Sequence, residues 1–224
     1  MSEEEKKQQE ERSLFVIANV STGRLNALVK TIMKQTEADD PNEAIRLVNS
    51  GEWVLTRVKR WREENDVIYL SVVSDGTTGP EWIKRLEGKK YNLSKWVKDL
   101  LRSSDFMPTT GVKYELAVLK GRLFEESKRV TEEIRAEAKR RGLSTPNAEV
   151  ACLIREKFSD KEIEEMGLWW IVTMHKPIRD SGGGLCLLHA VRGDFGRRLG
   201  AGYGNPGSEW DRRGGFVFAV SQVS

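Results

Sequence analysis

Two histidines, His175 and His189, and two cysteines, Cys152 and Cys186, are the residues in this chain that could supply a base or a soft nucleophile. A Cys-His pair would mean thiolate chemistry, with an imidazole taking the proton from sulfur. Nothing in the spacing requires it. His175 lies in an apolar stretch just before Lys176-Pro177, the setting of a structural histidine, and the cysteines lack CxxC spacing and read as reduced, buried thiols. The Glu pairs of "TEEIRAEAKRR" and "KEIEEM" have the pattern of solvated helix faces. "GAGYGNPG" offers Gly200, Gly202, Gly204 and Gly207, but a phosphate-binding loop follows a strand and opens a helix, whereas here a proline and another strand follow. No GK[ST] is present, and "SDGTTGPEW" reads as a tight turn and a helix start. No catalytic residue, cofactor or metal site is therefore expected, and the chain is read as a non-enzyme.

The elements that would position these residues change character along the chain. Residues 1–12 are a charge run, followed by a segment in which Leu25, Leu28, Val29, Ile32 and Met33 recur at helical spacing; residues 1–40 are read as a charged tail and an appended helix. Asp40-Pro41 has the form of a helix N-cap with proline in the first turn. Residues 41–164 are read as a mixed α/β part. Within it "DVIYLSVV" and "GVKYELAVL" are strands, and two short helices lie between them, one with Trp82, Ile83 and Leu86 on a face and one with Trp96, Val97, Leu100 and Leu101. "SKRVTEEIRAEAKRRGL" is a helix closed by Gly142, and "TPNAEVACLIREKF" is another, with Thr145 as its expected cap. Residues 165–224 carry no helical period and are read as β-rich. The class is α+β, with the helices in the middle.

Composition narrows the function classes. The chain has 224 residues, 38% of them hydrophobic, enough to bury a core. Its charge of +3 comes from 37 basic and 34 acidic residues, so the overall balance gives little pull toward nucleic acid or an anionic membrane. No apolar run approaches the roughly 20 residues that span a bilayer. "MSEEEKKQQEER" lacks the apolar core of a secretory signal, and a cytoplasmic protein is expected, with export by another route left open.

The C-terminal segment departs from the rest. Lysine occurs 17 times before Pro177 and not once in the 48 residues from there on, where four or five would be expected at the upstream density. Arginine persists as Arg179, Arg192, Arg197, Arg198, Arg212 and Arg213. Between Asp180 and Val217, Met and Gln are also missing, and Glu and Trp occur once each, at Glu209-Trp210. Lys, Gln, Met, Glu and Trp are the residues a codon cannot encode when its third base is a pyrimidine and its first two are free. What remains includes His, Val, Gly, Asp, Phe, Tyr, Ser, Asn, Cys and Arg, as the segment does.

In this the stretch "LLHAVRGDFGRRLGAGYGNPGSEWDRRGGFVFAV" resembles the variable target proteins of diversity-generating retroelements, whose reverse transcriptase miscopies adenines and so scatters residue types near the target's C-terminus. The resemblance covers about the last quarter of the chain. It implies a C-type-lectin-like fold carrying a hypervariable region, with a constant frame of Leu188, Ala190, Arg192, Leu199, Ala201, Pro206, Trp210 and Arg212 closed by "GGFVFAV". The ligand-binding, diversified positions it implies are His189, Val191, Gly193, Asp194, Phe195, Gly196, Gly200, Gly202, Tyr203, Gly204, Ser208, Asp211, Arg213 and Gly214. Their expected partner is a variable protein or surface ligand, met by loops on a rigid frame. The rival reading is a nucleic-acid binder, in which the arginines meet phosphates and Phe195 and Tyr203 stack on bases. Against it, the six arginines are offset by Asp180, Asp194, Glu209 and Asp211, a net of only +2.

Overall fold

The computed structural model describes residues 21–54, 58–193 and 197–220. The chain forms two compact units that divide between Val58 and Lys59. In the first, α1 (Thr22–Thr36) ends where Glu37 takes a left-handed φ of 55°, and α2 (Pro41–Asn49) follows. Asp40 caps α2 as its sequence suggested, accepting hydrogen bonds from the Asn42 and Glu43 amides at 3.3 Å. The cap turns the chain back so that Ile32, Thr36 and Ala44 are buried.

The second unit is a mixed sheet with helices on both faces. Its elements run β1 (Trp61–Glu64), β2 (Val67–Asp75), α3 (Gly79–Gly88), β3 (Asn92–Leu93), α4 (Lys95–Arg102), β4 (Thr110–Lys120), α5 (Thr131–Arg140) and β5 (Leu143–Ser144). Then come α6 (Val150–Lys157), α7 (Asp160–Glu165), β6 (Trp170–Thr173), β7 (Ile178–Arg179), β8 (Leu185–Val191), β9 (Arg198–Tyr203) and β10 (Gly214–Val220). The strand order is β1-β2-β4-β10-β6-β8-β9-β3, with β5 beside β10 and β7 beside β8. Pairing is antiparallel except for β10 with β6 and β3 with β9. Because β10 inserts between β4 and β6, strands β6 to β10 complete the sheet that β1, β2 and β4 begin. The mixed α and β content agrees with the class read from the sequence.

Strand alternation divides the interior between the two faces. Ile68, Leu70, Leu116, Val118, Ile171, Leu188, Ala190, Leu199 and Val217 meet Trp82, Leu86, Val97, Leu100, Ile154 and Ile163 from α3, α4, α6 and α7. Val67, Ala117, Leu119, Val172, Leu187, Phe216 and Phe218 meet Ile134 and Ala138 of α5. The "SDGTTG" turn is explained by packing. A side chain at Gly79 would place Cβ 1.6 Å from the Leu101 carbonyl oxygen, so only glycine lets the start of α3 touch the end of α4. Thr78 and Glu81 close that start as a capping box.

Two elements differ from the sequence expectation. The helix expected from Thr145 begins at Val150, because Leu143–Ser144 pair with β10 and Asn147 forms a turn, its side chain accepting from the Glu149 amide and donating to the Met107 carbonyl. In "KEIEEM", Glu162 is buried, not solvated: it closes the capping box of α7 with Ser159 and pairs with Arg60 at 2.8 Å.

Candidate functional site

Of the groups with catalytic potential, His175, Cys152, Cys186 and Glu149 are buried. His175 is buried, and its Nε2 accepts the Leu188 amide at 3.0 Å, so Nδ1 carries the proton and donates to the Lys176 carbonyl at 2.7 Å. Burial pulls its pKa down to about 4, with the Lys176 hydrogen bond opposing. Both cysteines are free thiols and buried; burial pushes Cys186 up to about 11 and Cys152 up as well. The buried Glu149 carboxylate accepts from the Thr109 amide and hydroxyl and from Tyr114. Among the described residues no group of three or more His, Cys, Asp or Glu is placed to hold a metal ion. "GAGYGNPG" runs from β9 into turns leading to β10, with no helix start.

The candidate display positions are distributed by strand parity. On β8 and β9, Leu188, Ala190 and Leu199 of the expected frame point into the larger core. His189, Val191, Gly200 and Gly202 point to the opposite face, where register sets His189 opposite Gly200, Leu187 opposite Gly202 and Val191 opposite Arg198. Two rows cross the sheet here. One runs Phe216, Val172, His189, Gly200, and the other Gly214, Trp170, Val191, Arg198.

Glycine makes the β9 end of this face a floor. A Cβ at Gly200 would lie 2.3 Å from His189 Nε2, and one at Gly204 would lie 2.5 Å from Leu187 Cγ, so β8 side chains lean over β9 where it has none. At Gly202 the nearest atom would be the Trp210 ring at 3.4 Å, so a Cβ there would stand in ordinary van der Waals contact. His189 is half-buried, and its Nδ1 is shielded without a hydrogen-bond partner. Burial, and after it the charge of Arg198, lowers its pKa to about 4. The imidazole beside Gly200 is thus neutral at physiological pH.

The loop after β9 is fastened to α5. The Thr131 and Glu132 amides donate to the carbonyls of Ser208 and Pro206 at 3.1 and 2.9 Å, satisfying helix N-terminal donors with loop acceptors. Trp210 donates from Nε1 to Thr131 Oγ1 at 2.9 Å and sets its ring edge-on to Phe216. Further along, Asp211 accepts from the Arg213 amide at 2.8 Å and pairs with its guanidinium at 3.0 Å. Arg213 and Arg192 both stack on Trp169, at 4.7 and 4.8 Å from the ring centroid, and Arg192 also pairs with Glu164 at 2.6 Å.

Exposure varies among the candidates. Tyr203, Asp211 and Arg213 are exposed; His189, Gly193, Gly202 and Ser208 are half-buried; Val191, Gly200, Gly204 and Gly214 are buried. Asp194, Phe195 and Gly196 lie outside the described residues. Tyr203 is not brought to the His189 face: it sits opposite Cys186 on the other side of the sheet, covers Gly184 and packs its ring 5.4 Å from that of Trp96. Trp170 and Arg198, not singled out as display positions from the sequence, complete the His189 face. Period-two counting from His189 finds same-face residues on its own strand only, and these two come from neighbouring strands. The His189 face thus carries an imidazole beside Gly200 and Gly202, with Trp170, Trp210 and Arg198 around it. Comparison of the chain with protein-family models, curated proteins and solved structures finds no match.

Proposed function

We propose that this chain is a non-enzymatic binding protein whose C-terminal region is diversified by a retroelement to recognise variable protein or surface ligands. The observation that carries the reading is the parity of β8 and β9. Positions assigned to a constant frame, Leu188, Ala190 and Leu199, lie in the core, while the interleaved positions His189, Val191, Gly200 and Gly202 share the opposite face. Substitution at the half-buried members of this set, His189 and Gly202, therefore alters the face opposite the larger core, whereas Val191 and Gly200 are buried there. We infer that the fold is C-type-lectin-like. Two of the arginines that a nucleic-acid binder would use, Arg192 and Arg213, are already bridged to carboxylates.

The test lies in the gene's surroundings. A near-copy of the segment encoding residues 187–220 is expected close to a reverse-transcriptase gene, with mismatches concentrated where the copy has adenine. A complete genome holding neither the copy nor the polymerase overturns the reading.

A further inference from the structure

Among its described residues the first unit exposes more large apolar side chains than it buries. Its described apolar interior is Ile32 and Ala44, while Leu28 is 53% exposed, Leu25 and Ile45 39%, Trp53 40% and Val54 74%. Leu25 and Leu28 stand three apart and so share a side of α1. Helices of 15 and 9 residues are marginal in water unless an apolar face is packed against something.

Charge indicates what packs there. α1 carries Arg24, Lys30 and Lys34 and no acidic residue, whereas the stretch from Glu37 to Glu52 carries Glu37, Asp39, Asp40, Glu43 and Glu52 against the single cation Arg46. Arg46 is spent within α2 and its end, on Glu43 at 2.8 Å and Glu52 at 2.7 Å. The three cations of α1 have no ionic partner among the described residues. One hairpin thus presents a basic helix, an acidic stretch and uncovered leucines. In a two-fold contact the same patch serves both sides, so the basic helix of each copy meets the acidic stretch of the other.

We propose that the α1–α2 hairpin is a homodimerisation element: a second copy of this chain covers Leu25, Leu28 and Ile45, with α1 of each copy against the acidic stretch of the other.

Sedimentation equilibrium of the full chain at micromolar concentration tests it, with an expected mass twice the 25.5 kDa of one chain. Leu25→Asp with Leu28→Asp should halve that mass. Two charge variants that leave the leucines in place supply a second arm: one chain carries Lys30→Glu and Lys34→Glu, the other Asp39→Lys and Glu43→Lys. Each alone should dissociate at least tenfold more readily than the unmodified chain, and an equimolar mixture should recover the double mass. A single-chain mass for the unmodified protein overturns the proposal. So does a double mass indifferent to both sets of substitutions, or a mixture that stays monomeric.

Discussion

At the scale of single residues, hydrogen bonding decides which titratable groups are structural. His175 is held neutral because its Nε2 is committed as an acceptor to the Leu188 amide. Protonating it removes that acceptor and buries a charge. The folded pKa, about 4, is below the ordinary 6.5, so the unfolded chain binds the proton more readily between these values. Stability from this site is therefore complete above about pH 6.5 and is lost as pH falls toward 4, a change of about 3 kcal/mol at about 1.4 kcal/mol per pH unit. Urea unfolding at pH 7 and pH 4.5 should show the loss, and His175→Gln should flatten the part that comes from this residue. An unchanged pH dependence in the variant would move the effect elsewhere.

At the scale of elements, the alternation of β8, β9 and β10 assigns successive side chains to the two faces of the sheet. Phe216 and Phe218, two apart on β10, both point toward α5 and pack with Val172, as their spacing in "GGFVFAV" suggests. Truncating either to alanine should cost about 3–5 kcal/mol. Tyr203 and Asp211 are exposed, and alanine at either should shift stability by only about 0.5 kcal/mol. Thermal unfolding of the four variants compares them directly. If Tyr203→Ala or Asp211→Ala proved as damaging as the phenylalanine variants, these positions would belong to the frame. His189 differs from both sets, since its ring fills the space above Gly200 and any enlargement of one constrains the other.

At the scale of the whole molecule, the second unit owns both packed faces of the sheet and the first owns its own hairpin, so a chain beginning at Lys59 should fold alone. A cooperative urea transition for residues 59–224 is the expected result, and a non-cooperative one would make the first unit part of the folding unit. If both proposals hold, the assembled protein carries two display faces, and a repetitive target gains affinity through linked binding. Local signals determined much of this in the sequence alone. Asp40-Pro41 starts a helix because capping needs only neighbouring amides, the strands of residues 67–75 and 110–120 are written in alternating β-branched and aromatic residues, and the loss of lysine after Lys176 is visible by counting. Only tertiary structure decided that β10 lies between β4 and β6, that β5 delays α6 to Val150, and that Tyr203 leaves the face shared by His189 and Gly202. The reason is physical. A helix cap or a strand's alternation is fixed by residues a few places apart, whereas strand order and register are fixed by pairing across dozens of residues, and a shift of one residue in that pairing exchanges the two faces of a sheet.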